Sequence, residues 1–358
     1  MNFLHEVCSL PTAPFAEGHV VAYVERFVKA RRRLRLSHDK WGNLLIELPS
    51  KSKRPRWVFA AHMDHPGLIA SEMLDARTLR ADFRGGVLAE YVEDERVRFF
   101  HNGEETTGTI TEVITGEDRG YPSEVVVRVS APIPPGAPGM FDQGEGRVKG
   151  GKFYARAIDD LGGVAGALAM IDELHANPPE SPVAVLLTRA EEEAFIGAIG
   201  AVLTPQLLKK SDRLIAIECS AMQPYAPQGA GTIIRVGDRT SIFNSSLTYH
   251  LTQVAADLAK ADKSFKYQRA LMPGGTCEAS VYDAYGYHAG SICVPLGNYH
   301  NMDREKQKIG PEYIDVTDWK NMVKLFVELA RRGHTYEEGL KPFRRRIEKR
   351  FKELKGLL

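Results

Sequence analysis

Residues 57–64, WVFAAHMD, decide how this chain folds. Five consecutive apolar residues, Trp57 to Ala61, mark a strand covered on both faces, the environment of a parallel sheet flanked by helices. His62 and Asp64 follow where such a strand ends. In an open α/β sheet that edge is where ligands bind.

Upstream, Phe3, Val7 and Leu10 recur at helical spacing, as do Val20, Val24, Phe27 and Val28, and WGNLLIEL (41–48) alternates as a strand. Downstream the texture changes near residue 71. Asn102-Gly103 marks a hairpin, SEVVVRVSA (123–131) reads as a strand, and PIPPGAPG (132–139) is a rigid connector that excludes helix. After Asp159 the α/β pattern returns. LGGVAGALAMIDELH (161–175) is a helix, PVAVLLT (182–188) and RLIAIE (213–218) are buried strands, SSLTYHLTQVAADLAKA (245–261) is a helix and SICVPL (291–296) a strand. TDWKNMVKLFVELARR (317–332) is an amphipathic helix, with Thr317 or Asp318 as its expected N-cap.

The expected fold is α/β, a mostly parallel sheet with helices on both faces, interrupted by a small all-β domain. Residues 1–70 and 150–333 are expected to form the two parts of the α/β domain, 71–149 the insertion, and 334–358 a basic amphipathic C-terminal helix. That last segment spaces Phe343, Ile347, Phe351, Leu354 and Leu358 at steps of four and three, and is expected to pack on the body or on a neighbouring subunit.

Composition narrows the function. Of 358 residues, 43% are hydrophobic and 26% charged, the balance of an ordinary globular protein. With 47 Lys plus Arg against 46 Asp plus Glu the net charge is +1, so no overall field draws the protein to nucleic acid or to a membrane, and neither is expected as a partner. No apolar run reaches the roughly 20 residues of a spanning helix. The start lacks a secretory pattern, and Cys8, Cys219, Cys277 and Cys293 form no CxxC pair, so the cytoplasm is the expected compartment.

Acidic and imidazole residues share one address, the carboxyl ends of predicted strands. His62 and Asp64 follow WVFAA, Glu191 and Glu192 follow VAVLLT, Glu218 ends RLIAIE, His300 follows SICVPL, and Asp159-Asp160 opens the helix after the insertion. Singly, each reads as a solvated acid or a core histidine. Gathered along one edge, they would repel and lose hydration unless cations neutralise them. Two divalent ions with one carboxylate between them would do so; imidazole with oxygen ligands suits zinc, cobalt or manganese better than magnesium or calcium. Asp64 could hold the His62 ring through its other nitrogen.

Two motifs mislead. GRVKGGKF (146–153) has the skeleton of a phosphate loop, but Phe153 stands where a hydroxyl must coordinate magnesium. LGGVAGA (161–167) lacks the preceding strand of a dinucleotide fold, so its glycines are read as packing sites. No GxSxG elbow is present, and nothing local would activate Cys277 as a nucleophile.

The ordered series HMD, AIDD, AEEEAFIGA, AIE and NYH resembles the co-catalytic dimetal aminopeptidases, most of all the tetrahedral (glutamyl and deblocking) aminopeptidases, over about residues 3 to 331. The resemblance implies that His62 and Glu218 bind one ion and Glu192 and His300 the other, with Asp159 bridging. It also implies that Glu191 is the general base and that Asp64 orients His62. Two zinc ions, or cobalt or manganese, peptide substrates and a homo-oligomer go with it. The implied reaction is removal of the N-terminal residue of a peptide through a metal-bridging water activated by Glu191. The same centre on a related fold would serve a carboxypeptidase or an N-acyl amino acid amidohydrolase. A glycosidase would need no imidazoles, and an inactive assembly protein would carry no metal. The chain departs from the pattern at Glu218, where Asp is usual, at His65-Pro66, where Glu-Ile is usual, in NYHNMD, which is closer to the monomeric relatives, and in its basic C-terminal extension.

Overall fold

A computed structural model describes residues 1–116, 120–337 and 340–358; residues 338–339, within the expected C-terminal segment, and residues 117–119 lie outside that description. Helices α1 (Asn2–Cys8) and α2 (Gly18–Lys29) open the chain, followed by strands β1 (Arg35–His38), β2 (Leu44–Leu48) and β3 (Trp57–His62). Six strands then close into a barrel: β4 (Gly67–Met73), β5 (Thr78–Arg84), β6 (Arg96–His101), β7 (Glu104–Thr115), β8 (Pro122–Val129) and β9 (Pro138–Phe141). A hairpin of β10 (Arg147–Lys149) and β11 (Lys152–Ala155) leads into α3 (Leu161–Ala176), β12 (Val183–Thr188), α4 (Ile196–Leu203), β13 (Arg213–Ala221) and β14 (Thr232–Gly237). The chain continues through α5 (Ser245–Ala261), β15 (Tyr267–Leu271), α6 (Glu278–Ala284), β16 (His288–Leu296), and the short strands β17 (Met302–Asp303) and β18 (Lys308–Ile309). It ends with β19 (Glu312–Asp315), α7 (Val316–Arg332) and α8 (Lys341–Leu354).

The main sheet runs in the order β1-β2-β12-β3-β13-β16-β14-β15. Its central strands β12, β3, β13 and β16 are parallel, and every residue of β3 and β12 is buried. On one face Phe59, Ile215 and Ile292 meet Leu168 of α3, Leu251 of α5 and Phe326 of α7. On the other, Val58, Ala60 and Leu214 meet Ala198 and Ala201 of α4 and Tyr282 of α6. The period of two along each strand sorts its side chains between these two cores.

The sheet is mixed, and the mostly parallel expectation is met in part: four ladders are parallel, whereas β1–β2, β2–β12 and β14–β16 pair antiparallel. The cause is connection length. A parallel return needs a crossover of a dozen or more residues, whereas the links from β1 to β2 and from β13 to β14 are short and hold no helix.

Local chemistry accounts for the joints. Asn102 and Gly103 both take positive φ, 52° and 79°, and close a two-residue hairpin between β6 and β7. Gly150 and Gly151 do the same for β10 and β11, so GRVKGGKF is a hairpin and no helix follows it. In α3, a Cβ on Gly166 would lie 3.0 Å from Met322 of α7, so the glycine-rich helix face is a packing surface. The cap of α7 is Asp315, not Thr317 or Asp318; its carboxylate accepts from both of their N–H groups, while Asp318 accepts instead from Gly229 and Gly231.

Phe59, fully buried, lies with its ring 5.3 Å from that of Phe326, coupling the sheet to α7. Phe59→Ala should cost about 3–5 kcal/mol of stability, read as a lower midpoint in urea denaturation. A loss below about 1 kcal/mol would contradict the packing described.

Candidate metal centre

The parallel strands bring the acidic and imidazole groups to one edge. His62 is the last residue of β3, Glu191 and Glu192 lie on the turn after β12, and His300 lies on the turn after β16. Asp159 immediately precedes the N-cap of α3. Glu218 lies inside β13, which runs on to Ala221 instead of stopping where RLIAIE ends. His62, Asp159, Glu218 and His300 are all buried.

Four groups of potential ligands form among the described residues, and three share Asp159: His62, Asp159 and Glu218; Asp159, Glu192 and His300; and Asp159, Asp160 and Cys219. The fourth is His62, Glu191 and Glu192, and the atoms of each group lie within 4.8 Å of one another. Asp159 Oδ1 lies 3.8 Å from His62 Nε2, and its Oδ2 lies 3.8 Å from His300 Nε2, so one carboxylate faces both imidazoles. Glu192 Oε1 is 3.2 Å from His300 Nε2, and Glu191 Oε2 is 3.9 Å from His62 Nε2. Asp160 Oδ1 accepts from the Cys219 thiol, while its Oδ2 is buried without a hydrogen-bond partner among the described residues.

The donor set fits divalent cations. Asp159 Oδ1, Glu192 Oε1, Glu218 Oε1 and His300 Nε2 are buried without a hydrogen-bond partner among the described residues. Leaving such atoms unpaired costs several kcal/mol each, on the order that a cation would recover. Without cations, burial raises the carboxyl groups of Asp159 and Glu191 well above the usual range, and that of Glu218 above it against the pull of Arg235. Burial would depress His62, but Glu191 and Asp64 outweigh it and hold the imidazole well above its ordinary value.

Carboxylates around this centre hold its backbone. Asp64, fully buried, accepts from the N–H groups of Glu191 and Glu192 at 3.0 and 3.1 Å and places Oδ1 3.4 Å from His62 Nδ1. Glu312, also fully buried, accepts from Ile158 and Asp159 with one oxygen and from His300 with the other. Burial pushes it up to about 7, against the pull of the Asp159 N–H. Glu17 accepts from the Ala190 N–H and from Arg189. His65 sets Nδ1 2.5 Å from the Asp159 carbonyl and Nε2 3.0 Å from Asn301 Oδ1.

The barrel takes part as well. His300 Nδ1–H donates to the Gly86 carbonyl at 2.7 Å, which leaves Nε2 facing the acidic cluster, and the Gly85 N–H donates to Glu193. The turns that carry these candidate residues are strained: Ala190, Ala194, Phe195 and His300 all have φ between 48° and 63°. Such backbone costs roughly 1–3 kcal/mol per residue and persists only where its surroundings enforce it.

Glu17 and Glu312 escaped the sequence reading. Glu312 lies in PEYIDV, a dozen residues beyond His300, with no spacing that marks it. Only the pairing of β19 with β11, which places Glu312 opposite Ala155, brings it beneath Asp159.

Parallel strands whose ends gather imidazoles and carboxylates around one shared aspartate, with a barrel carbonyl orienting one ring, form a cluster that could hold metal in a metallopeptidase. The chain belongs to the M42 glutamyl aminopeptidase family, whose sequence profile matches residues 42–119 and 127–325. It is a metal-dependent aminopeptidase, a peptide hydrolase. An inferred aminopeptidase of Acetivibrio thermocellus is 25% identical over 302 residues, 81% of this chain and 86% of that one. The fold is shared with an aminopeptidase from the archaeon Desulfurococcus kamchatkensis, at 22% identity and a TM-score of 0.78 over 95% of this chain and 98% of that one. It is shared too with a Pyrococcus horikoshii peptidase that can assemble into a tetrahedron or a large octahedral shell, at 21% identity and a TM-score of 0.76 over 92% and 98% of the two chains.

Two outcomes follow from this geometry. Glu312→Ala strands three N–H groups at about 1–3 kcal/mol each, so metal retention on dialysis should fall at least roughly tenfold; unchanged metal content would show that the clamp is dispensable. Metal-free protein should also lose stability as pH rises. The folded values of Asp159, Glu191 and Glu218 lie above their unfolded ones, so their contribution is complete below the ordinary carboxylate range and is lost as pH climbs through the raised values. His62, also raised, acts in the same direction. Thermal melts from about pH 5 to about pH 8 should fall with chelator present and stay level with metal added; parallel curves would refute the account.

Proposed function

We propose that the protein removes N-terminal residues from peptides at a centre of two divalent ions, His62 and Glu218 holding one, Glu192 and His300 the other, and Asp159 both. A single observation carries this reading: the two oxygens of buried Asp159 face two imidazoles on different strand ends. The mixed imidazole and carboxylate donors support zinc, with cobalt or manganese as substitutes. When bound, the ions supply Lewis acidity, easing deprotonation of a water and polarising the peptide carbonyl.

Glu191 is the general base. Its carboxyl group stands beside the ligands, and burial raises its proton affinity toward the range where a carboxylate can take a proton from water and pass it to the leaving amine. Asp64 fixes both His62 and the two N–H groups that aim Glu191 and Glu192. A cavity of about 960 Å³ opens beside Glu218 and Tyr299, with Arg147, Lys152, Arg304 and Lys308 along its walls. It is large enough for a short peptide, and its cations complement a carboxylate at the far end of one.

The proposal divides the chain into catalytic segments 1–70 and 150–333, an inserted domain 71–149 and a tail 334–358. It places the enzyme in the cytoplasm as a homo-oligomer. No helix among the described residues is long and apolar enough to cross a membrane.

Glu191→Gln tests the mechanism. It should retain the metals while turnover of aminoacyl anilides falls by about 10²–10⁴-fold. Activity that survives the substitution would remove Glu191 from the role of base. Stripped enzyme refilled with zinc, cobalt or manganese, assayed on peptides and N-acetyl amino acids, separates aminopeptidase from amidohydrolase action.

A further inference from the structure

The edge of the sheet opposite the metal centre carries the opposite charge. Register sets Trp57, Val183 and Arg213 level at the start of the parallel strands, a strand length of about 17 Å from the ends that bear the ligands. Around that edge the exposed residues Arg32 and Arg33 lie on the turn before β1, Arg35 opens β1, and Lys51, Lys53 and Arg54 lie on the loop before β3, Arg54 paired with Glu180. Arg35, Lys53, Arg54 and Lys209 line one cleft there, with Glu47 and Asp212 engaged by Arg56.

Helix α8 leaves from the same edge. Tyr336 packs its ring 5.9 Å from that of Trp57, and Arg54 donates to the His334 carbonyl. Beyond them α8 buries none of its residues, and its apolar positions Phe343, Ile347, Phe351 and Leu354 stay open, Phe351 at 59% exposure. Of the expected packing on the body or on a neighbouring subunit, the body supplies among the described residues the Phe343 ring 6.5 Å from that of Tyr249.

At helical spacing the stripe is only about 80° wide, and the rest of the circumference is charged. Residues 341–358 hold 8 Lys or Arg and 2 Asp or Glu. Both acids are already paired, Glu348 with Arg344 and Glu353 with Arg350, while Lys349, Lys352 and Lys355 have no carboxylate partner among the described residues.

We propose that α8 and the neighbouring basic edge dock the protein on an anionic phospholipid surface. The charge of α8 supports this occupant: with 8 Lys or Arg and 2 Asp or Glu over residues 341–358 it complements an anionic surface. A second α8 would bring like charge against like charge along the whole helix, and the body of a second copy is the outcome that the light-scattering measurement reads. A narrow apolar seam with long cationic side chains on both flanks suits a planar interface, where the stems lie along acyl chains and the charges reach phosphates. One short stripe binds lipid weakly, and the basic edge supplies the second attraction that stable docking needs. The family profile ends at residue 325, so α8 lies outside the part of the chain that the family shares. The near-zero net charge that spoke against a lipid partner averages two unlike ends. Docking by this edge leaves the metal centre facing away from the surface.

Co-sedimentation of the full chain tests the proposal, using vesicles of phosphatidylcholine alone and vesicles with about a third phosphatidylglycerol. Binding should be at least roughly tenfold greater on the anionic vesicles and should fall as salt rises. Ile347→Ser with Phe351→Ser should abolish it, and Lys51→Glu with Lys53→Glu should weaken it, with peptide hydrolysis unchanged. Equal retention on both vesicles, or undiminished binding by the Ile347→Ser, Phe351→Ser protein, would overturn the proposal. So would a drop in mass of that protein by light scattering without lipid, because a second copy would then be covering the stripe.

Discussion

Carboxylates crowded against one another at the strand ends set the terms for the rest of this structure. Two unit charges about 4 Å apart repel by roughly 4 kcal/mol even at an effective dielectric of about 20. A whole domain is stable by only about 5–15 kcal/mol. Asp159, Glu191, Glu192 and Glu218 surround His62 and His300 in a buried space, and two imidazoles cannot balance them. Either protons or cations must occupy the centre. The unpartnered oxygens of Asp159, Glu192 and Glu218 point to cations, since a protonated carboxyl would seek an acceptor of its own.

Holding such groups in place requires anchors that do not compete for the ligand atoms. The chain uses more carboxylates, but aims them at backbone N–H groups: Asp64 at the Glu191-Glu192 turn, Glu17 at Ala190, and Glu312 at both Asp159 and His300. Charge-assisted bonds of this kind contribute about 1.5–3 kcal/mol each, enough to offset the left-handed backbone of Ala190 and His300. Glu312 has the widest reach, because its two oxygens tie the turn before α3 to the turn after β16. The barrel adds the Gly86 carbonyl, so the orientation of His300 depends on an inserted unit far away in sequence.

Features written in local pattern were legible before the structure: the double-sided burial of Trp57–His62, the Asn102-Gly103 hairpin, and the helical periodicity of α7. So was the gathering of the acids and histidines, because strand ends in an α/β fold share one edge. What escaped depended on pairing between distant segments. Glu312 matters only because β19 pairs with β11, and the antiparallel flanks of the sheet follow from connections too short for crossovers. Asp315 won the cap of α7 because Asp318 was claimed by the Gly229–Gly231 turn, a contact across nearly ninety residues. Amphipathicity announced α8, yet the same pattern suits packing on protein and docking on lipid. Only the absence of buried residues along it separates it from a core helix.

A composition that sums to +1 conceals this polarity. Removing residues 341–358 leaves 39 basic and 44 acidic residues, so the body is acidic while its tail is strongly basic. Within the body the buried acids collect at the carboxyl ends of the parallel strands, with Arg147, Lys152, Arg304 and Lys308 lining the cavity beside them. Exposed Arg32, Arg33, Lys51 and Lys53 lie toward the opposite edge together with Glu47, Asp212 and Glu180, which pair with Arg56 and Arg54. The acidic end has a physical reason in the ions it would hold. Among the described residues the cations of the basic end are mostly exposed and extend along a helix that buries none of its side chains. A charge distribution this lopsided gives the molecule a direction, and in a field from an anionic surface it would present its basic edge first and its catalytic edge last.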